Sequence, residues 1–384
     1  MRLAGIAIVC AITATGTPSW ADDEFAGGTI IFARGTKLLR VDPKGKTETE
    51  LATFGESQDA GDKKAKPPVV RSLTTDAAGK VLLADLDGSW QWMPLDGSAK
   101  SLAALACADG PAQLAEDGTC VLCRSKVGAT MIVNLVTGKQ LAVDVPGARV
   151  VGMGADRKLV WADKDGVWSS PPGNRKAAKK VAPNTPKRGF LPSPDGARAV
   201  GVFDDEVYID AHHKKPAEVL MGFALDGEGA KRKGIKAGVP LEWSHDGQWV
   251  LVQDGANACL MHATGGEYKC WKGYTAASIS PDGKYGLFLG NRDGSHRQSP
   301  APKPGKGAKP EPKKKAPPKD EPKPEPKPED EAEGGDDVPD VAIAPPSGPL
   351  SLFRAKLEGS AFTESPALVV KIVDGAAVWV PGSP

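Results

Sequence analysis

Short runs of apolar and β-branched residues recur along this chain, and each follows a polar turn that ends in Asp-Gly or a close equivalent. Val81-Leu-Leu-Ala follows the turn at Asp76, and a second turn, Asp85-Leu-Asp-Gly, comes about nine residues after the first. Such short runs between turns are typical of β-hairpins, because Gly supplies a positive φ angle and Asp bonds to the following backbone amides. The aspartates that mark the repeats are Asp76, Asp117, Asp156, Asp195, Asp246 and Asp282, at intervals of 41, 39, 39, 51 and 36 residues. This period predicts an all-β fold, a β-propeller, whose four-stranded blades take about 40 to 45 residues each.

The number of repeats predicts seven blades, with six or eight as alternatives. The N-terminal segment, from Thr29-Ile-Ile-Phe-Ala onward, has only three strands and no strand to precede them. Two apolar runs near the C-terminus, residues 367–373 and 376–380, are available to supply the missing strand. Pairing one of them with the N-terminal strand would close the ring and remove two exposed sheet edges, which otherwise invite aggregation.

Three of the turns carry a more specific motif. Ser193-Pro-Asp-Gly and Ser280-Pro-Asp-Gly match each other, and Ser244-His-Asp-Gly is a partial match. These turns resemble the WD40-like propeller repeats of TolB-type periplasmic proteins. The resemblance implies a structural role for the turn, between the first two strands of a blade, and it transfers no catalytic, cofactor-binding or metal-binding residue. The residues with this structural role are Asp195, Gly196, Asp246, Gly247, Asp282 and Gly283.

The N-terminus has the features of a secretion signal. Residues 1–21 combine a positive Arg2, an apolar stretch too short to span a bilayer, and a small-residue cleavage site ending at Ala21. Lipidation at Cys10 and an uncleaved N-terminal anchor are the alternatives. The predicted organisation is a signal peptide (1–21), propeller blades (22–297), a Pro/Lys/Glu-rich insertion (298–347), and the end of the last blade with the ring-closing strands (348–384). With no later apolar run of transmembrane length, we expect a monomeric periplasmic or secreted protein.

Five cysteines remain after signal cleavage, and outside the cytosol they can oxidise. Cys259 and Cys270 flank a tight Gly-Gly turn, which predicts a disulfide across one hairpin. Cys107 can pair with Cys120 or with Cys123, and the sequence does not choose between them. Cys120-Val-Leu-Cys123 reads as part of a strand, which favours structural cysteines over a redox motif, a haem attachment site or a zinc site.

Residues 298–347 have almost no apolar side chains and repeat Pro, Lys and Glu. Such a segment buries too little surface to offset its ordering entropy, and repeated Pro favours an extended polyproline II conformation. The segment lies between the second and third strands of the last blade, and its composition resembles the spacer of TonB-type periplasmic proteins. It is either a passive solvated loop or a tether for a partner. Residues 56–68 form a second predicted loop.

The charge balance and the lack of recognisable metal-binding motifs restrict the possible classes of function. Without Arg2, 48 basic and 48 acidic side chains balance, which argues against a nucleic-acid binder. Adjacent His212 and His213 would face opposite sides of a strand, and the Asp-Gly turns lack the distal Glu of a calcium loop, so we predict no cofactor and no metal. The prediction is a non-catalytic module that binds an envelope or secreted protein partner. The alternative is a hydrolase or lactonase-type enzyme with its site at the central channel.

Overall fold

The computed structural model describes residues 28–54, 68–143, 145, 150–154, 157–182, 185–208, 214–224, 235–236, 238–263, 268–291, 350–357 and 366–381. The described strands form seven four-stranded antiparallel sheets, and the predicted all-β propeller with four-stranded blades is confirmed. We number the blades 1 to 7 in chain order and letter their strands A (innermost) to D (outermost).

Blades 2 to 7 are each built from four consecutive strands. Blades 2 and 3 comprise β4 (Val70–Thr75), β5 (Val81–Leu86), β6 (Ser89–Pro94), β7 (Ala103–Ala104), β8 (Gln113–Leu114), β9 (Cys120–Arg124), β10 (Thr130–Asn134) and β11 (Gln140–Ala142). Blades 4 and 5 comprise β12 (Val150–Met153), β13 (Leu159–Asp163), β14 (Gly166–Ser170), β15 (Lys179–Ala182), β16 (Arg188–Pro192), β17 (Arg198–Tyr208), β18 (Lys214–Ala224) and β19 (Ile235–Lys236). Blades 6 and 7 comprise β20 (Val239–Trp243), β21 (Trp249–Asp254), β22 (Asn257–His262), β23 (Tyr268–Lys272), β24 (Thr275–Ile279), β25 (Tyr285–Gly290), β26 (Leu350–Lys356) and β27 (Ala367–Val373).

Blade 1 joins the two ends of the chain. Its outer strands are β1 (Thr29–Arg34), β2 (Lys37–Val41) and β3 (Glu48–Thr53), and its innermost strand is β28 (Ala377–Val380). Thr29 lies opposite Val380 and Phe32 opposite Ala377 in an antiparallel register. The predicted ring closure by the C-terminal strand is therefore confirmed.

Seven apolar cores hold the ring together, one between each pair of neighbouring blades. Successive residues of a strand alternate between two cores, because side chains alternate across a sheet. Ile30 and Phe32 pack in the core between blades 7 and 1, whereas Ile31 and Ala33 pack in the core between blades 1 and 2. All four are completely buried. Each blade is thus stabilised mainly by its two neighbours.

The antiparallel order gives the ring two distinct faces. Turns between strands A and B, and between C and D, lie on one face, which we call the AB face. Turns between B and C, and the links from D to the next A strand, lie on the opposite face, the BC face. Within the described residues the one helical segment is a 3-10 turn at Arg175–Ala177, between β14 and β15. No described helix has the length and apolar character required to cross a bilayer.

Candidate functional site

The AB turns of blades 5, 6 and 7 share one hydrogen-bonding scheme. In blade 5, the Ser193 hydroxyl donates to Asp195 Oδ1 (2.5 Å) and accepts from the backbone N–H of Arg198 (2.9 Å). The backbone N–H of Gly196 donates to the Ser193 carbonyl (2.9 Å), and Gly196 has a φ of 68°. Burial acts to raise the pKa of Asp195, but the hydrogen bonds from Ser193 and Ala197 lower it overall. The carboxylate is therefore held in its charged form inside the turn.

The same scheme recurs in the next two blades. Ser244 donates to Asp246 Oδ1 (2.6 Å) and Ser280 to Asp282 Oδ1 (2.5 Å), while Gly247 and Gly283 close the turns with positive φ angles. These are the turn residues that the sequence singled out. In each turn the Ser and Asp side chains bond to one another and to their own turn, so both side chains contribute to the structure of the turn.

Several AB turns also approach the turn of the preceding blade. A Cβ atom on Gly118 of blade 3 would lie 3.0 Å from the carboxylate of Asp76 in blade 2. A Cβ atom on Gly283 would lie 3.7 Å from the carboxylate of Asp246 in blade 6. At Gly118, glycine therefore does two things: it adopts the left-handed backbone and it leaves room for the Asp76 carboxylate. At Gly196, no atom lies within 4 Å of the added Cβ, so only the backbone conformation calls for glycine there.

Blade 4 replaces this glycine by arginine. Arg157 adopts a φ of 61°, and its backbone N–H closes the turn onto the Gly154 carbonyl (2.9 Å). Its Nε donates to Asp117 Oδ2 of blade 3 (2.7 Å). Burial acts to raise the pKa of Asp117, but hydrogen bonds from Thr119 and Arg157 lower it overall. The ion pair joins blades 3 and 4 at the level of their AB turns.

Two titratable side chains of the AB turns, Glu116 and His245, have pKa values that depend on carboxylates of distant blades. Burial raises the pKa of Glu116 in blade 3, and the charge of Asp195 in blade 5 raises it further. Burial lowers the pKa of His245 in blade 6, partly opposed by Asp246 and by Asp76 in blade 2. Each group thus responds to a carboxylate in a blade that is not its neighbour. Within the described residues, however, no group of three or more His, Cys, Asp or Glu side chains is arranged to hold a metal ion.

The BC face carries a charged cluster between blades 2 and 3. Arg71 lies 3.6 Å from Asp87 and 3.4 Å from Asp109. Burial raises the pKa of the nearby Asp85, which accepts a hydrogen bond from the Gly88 backbone (2.7 Å). Asp87 has a positive φ of 50°, and its carboxylate accepts from the Val69 backbone N–H (2.8 Å). These contacts fix the turn of blade 2 to the start of β4.

A second cluster on the BC face secures the ring closure. Arg34 donates to the carbonyls of Ile372 (2.9 Å) and Lys371 (3.3 Å) in the outer strand of blade 7, and it pairs with Glu48. Ile372 has a φ of 69° and a side chain that is 48% exposed. A β-branched residue in the left-handed region costs about 1–3 kcal/mol, so the Arg34 bonds hold a strained segment in place.

One BC connection is much longer than the other described ones. The B and C strands of blade 5, β17 and β18, have 11 residues each, against five to seven in the other blades. The A strand β16 pairs with β17 only as far as Val202, whereas β17 and β18 continue pairing from Asp204↔Glu218 to Tyr208↔Lys214. These last five pairs form a two-stranded ribbon that extends about 17 Å beyond the blade, at about 3.4 Å per residue. His212 and His213 lie outside the described residues.

The two disulfides lie in different parts of the ring. Cys259 and Cys270 face each other on β22 and β23, and Cys107 is bonded to Cys123. Cys120 is a buried thiol, and burial raises its pKa. Cys123 packs in the core between blades 2 and 3, whereas Cys120 packs in the core between blades 3 and 4. Cys107 therefore pairs with Cys123, which faces the same core, and not with Cys120, which faces the opposite side of β9; the sequence had left this choice open.

The predicted insertion, 298–347, and the predicted signal, 1–21, lie outside the described residues. The strands on either side of the insertion are described: β25 ends at Gly290, and β26 begins at Leu350. These strands are the B and C strands of blade 7, so the segment leaves the same BC face as the long ribbon of blade 5. Most of the predicted 56–68 loop also falls outside the described part; it links β3 to β4 on this face.

Comparisons with known proteins give a similar overall architecture at low sequence identity. The chain is similar to the C-terminal WD40 domain of Sif2, at 12% identity and a TM-score of 0.44, over 68% of this chain and 75% of that one. It is similar to a putative TolB from Agrobacterium tumefaciens, at 10% identity and a TM-score of 0.42, over 92% of this chain and 97% of that one. A eukaryotic initiation factor matches at 10% identity and a TM-score of 0.41, over 93% and 99% of the two chains. No protein-family model and no curated protein matches the sequence.

Proposed function

We propose that this chain is an exported, non-catalytic β-propeller that binds a protein partner of the cell envelope through its BC face. The observation that carries the proposal is the ribbon formed by the ends of β17 and β18. An isolated two-stranded ribbon is at best marginally stable in water, so it contributes little to the stability of the fold. A protruding element with this property is suited to contacts with another molecule.

The two faces support this choice of binding surface. On the AB face, the turns of blades 5, 6 and 7 use their serine hydroxyl and aspartate carboxylate groups in hydrogen bonds within the turn. On the BC face, the ribbon of blade 5 and the ends of the insertion in blade 7 leave the ring in the same direction. Connecting segments that leave a rigid scaffold on one side are a common arrangement for binding.

Two further features support export. The signal-like N-terminus predicts passage across a membrane, and the disulfides Cys107–Cys123 and Cys259–Cys270 require an oxidising compartment. Peptide mapping of the exported protein without reduction should recover both pairs linked, and Cys120 as the thiol that reacts with an alkylating agent after unfolding. Recovery of all five cysteines alkylated, without reduction, would contradict export to an oxidising compartment.

The binding face is tested by site-specific photo-crosslinking in cells. A photoreactive amino acid at Tyr208 or Lys215 of the ribbon should give a discrete adduct with one protein. The control positions are Gln248 and Lys284, which lie on the AB face. The same protein should co-purify with the wild-type chain but not with a variant in which residues 204–218 are replaced by Asn-Gly, a two-residue turn that connects the Phe203↔Val219 pair. Adducts that form from the AB face and persist without the ribbon would contradict the proposal.

A further inference from the structure

The ribbon of blade 5 has two edges that differ in their backbone groups. Inside the blade, β16 pairs with β17 as far as Val202, and β19 pairs with β18 at Val219 and Leu220. Beyond these pairs, among the described strands, β17 and β18 pair only with each other. Each ribbon strand therefore has one edge to which no described strand is bonded.

The direction of the backbone groups along β17 follows from two hydrogen bonds on its β16 side. The Arg198 carbonyl accepts from the Ser193 N–H (2.8 Å), and the Val202 carbonyl accepts from the Lys187 N–H (2.7 Å). Arg198 and Val202 therefore turn their backbone groups away from β18. Backbone direction alternates along a strand, and the register between β17 and β18 has no shift up to Tyr208. Every even-numbered residue of β17 thus directs its N–H and C=O away from β18.

This alternation continues into the ribbon, where β16 has ended. The residues whose N–H and C=O groups face this open side are Asp204, Glu206 and Tyr208. Their spacing is about 6.8 Å, twice the rise of about 3.4 Å per residue in an antiparallel strand. Another extended segment has donors and acceptors at the same spacing, so it can bond to all three residues as β16 bonds to the base of β17.

Pro216 interrupts the other edge of the ribbon. It lies opposite Glu206 in a pair whose backbone groups both point outward, so the Pro216 nitrogen faces the side on which β19 lies. Proline has no N–H to donate, and it is a common means of protecting a sheet edge from pairing. The β18 edge therefore lacks a donor in its middle, whereas the β17 edge has a donor at each outward position.

We infer that residues 204–208 of β17 bind an extended segment of the partner protein, which adds a third strand to the ribbon. This inference rests on the proposed function, because it names the form of the partner at the same surface. A two-stranded ribbon is marginally stable alone, and a third strand adds the pairing that it lacks. Main-chain hydrogen bonds supply the affinity of such a complex. Binding should therefore also stabilise the ribbon.

The place of the open edge favours a slender segment over a second copy of this chain. β16 is the innermost strand of blade 5, so the open edge of β17 lies on the axial side of the ribbon. Two rings side by side would meet through the peripheral edges of their ribbons, where Pro216 interrupts pairing. An extended segment needs only the width of one strand, about 4.8 Å, and can reach the axial side without a second ring beside it.

A display library of linear heptapeptides, selected on the full mature chain, is the probe. Seven extended residues are longer than the stretch of about 17 Å that residues 204–208 cover. Selected peptides should bind Glu206→Pro at least about tenfold more weakly than the wild type, because the proline removes one outward N–H and leaves a peptide carbonyl unpaired. Glu206→Ala keeps this N–H and should bind the peptides like the wild type.

Lys214→Pro is the matched control. It removes an outward N–H from the β18 edge at the first residue of that strand, where proline is tolerated. Peptide binding should not change. The inference would be overturned by equal losses in Glu206→Pro and Lys214→Pro, by selected peptides that bind Glu206→Pro as tightly as the wild type, or by a selection that yields no peptide.

A second measurement leaves the protein unchanged and covers the case in which Glu206→Pro disturbs the ribbon. N-methylation of alternate peptide residues should abolish binding for one of the two alternating sets and not for the other, because only one set donates to β17. Amide hydrogen exchange of Glu206 and Tyr208 should slow when the peptide binds, whereas Asp205 and Val207 already donate to β18 in the free protein. Equal effects of the two N-methylated sets, or unchanged exchange at Glu206 and Tyr208, would contradict strand addition.

Failure of this inference and failure of the proposed function give different results. A protein adduct from Tyr208 without peptide binding at residues 204–208 keeps the BC face as the binding surface and overturns strand addition alone. Loss of both the adduct and the peptide binding contradicts both. Self-association of the wild-type chain that Glu206→Pro abolishes would make a second copy the occupant and overturn the choice made here.

Discussion

The turns on the AB face of the propeller are uniform, whereas the connections on the BC face differ widely in length. Six AB turns close with the same backbone hydrogen bond, from Gly79, Gly118, Arg157, Gly196, Gly247 and Gly283 to the residue three positions earlier, at 2.8–3.0 Å. The BC connections range from the short Gly35-Thr36 turn to the segment at residues 291–349. On the AB face, the turns at Gly118, Arg157 and Gly283 approach a carboxylate of the preceding blade, whereas the ribbon of blade 5 on the BC face extends beyond its own blade. Variation in length is therefore tolerated where a connection does not have to fit the next blade.

The contrast between the two faces depends on a closed ring. Opening the ring should therefore have the largest effect on stability. Truncation after Glu364 removes β27 and β28, including Val378, Trp379 and Val380, which are at least 96% buried. Fully burying one large apolar side chain contributes about 1.5–3 kcal/mol, and two inter-blade cores lose part of their packing. We expect aggregation or loss of cooperative unfolding, measured by size-exclusion chromatography and thermal denaturation. Removal of residues 382–384 alone is the control; a truncated protein that remains monomeric with the wild-type melting temperature would refute closure.

A pair of glycines in blade 3 sharpens the contrast between the faces. Gly118 on the AB face has a φ of 67° and would place a Cβ atom 3.0 Å from Asp76, whereas Gly128 on the BC face has a φ of 84° and no atom within 4 Å of that Cβ position. Alanine at Gly128 should cost about 1–2 kcal/mol from the backbone conformation alone. Alanine at Gly118 should cost about 1 kcal/mol more, because the turn of blade 2 must shift. Denaturant unfolding of the two variants measures the difference, and equal losses would mean that the AB turns do not couple the blades.

Deleting the insertion should have the smallest effect on stability. Replacing residues 298–347 by Asn-Gly should leave the melting temperature nearly unchanged, because the segment has too few apolar side chains to pack against the ring. Thermal denaturation of the shortened protein tests this expectation. A fall of more than about 5 °C, which exceeds about 1 kcal/mol for a domain of this size, would show that the segment is part of the folded structure.

The periodic turns were enough to predict the architecture, because blade repeats and hairpin turns are local properties of the sequence. The ring closure followed from a missing strand at one end and a surplus strand at the other. The interval before Asp246 is 51 residues, against 36 to 41 elsewhere, because blade 5 contains the extra residues of the long ribbon. Its cause could not be inferred, because extra residues anywhere in blade 5 would give the same interval.

Contacts between blades were the part that sequence reasoning missed. Arg157 sits where the repeat has glycine, yet nothing in the sequence indicates that its side chain reaches Asp117. Gln113 of blade 3 accepts a hydrogen bond from Met153 of blade 4, and Glu242 of blade 6 accepts one from Ile279 of blade 7. These contacts likewise appear only when neighbouring blades are placed side by side. The partner of Cys107 depended on which side of β9 each thiol faces. Each of these depends on the three-dimensional register, which local periodicity does not determine.

Closure by β28 also imposes an order on folding. Thr29 pairs with Val380, so the first strand of the ring remains without its inner neighbour until the last residues of the chain are present. Contacts between such distant positions form slowly, since the loop between them must be closed first. During vectorial passage through a membrane, the emerging N-terminal blade would stay incomplete until translocation ends. For the export proposed above, this delay leaves blade 1 incompletely folded during translocation and confines closure of the ring to the far side of the membrane.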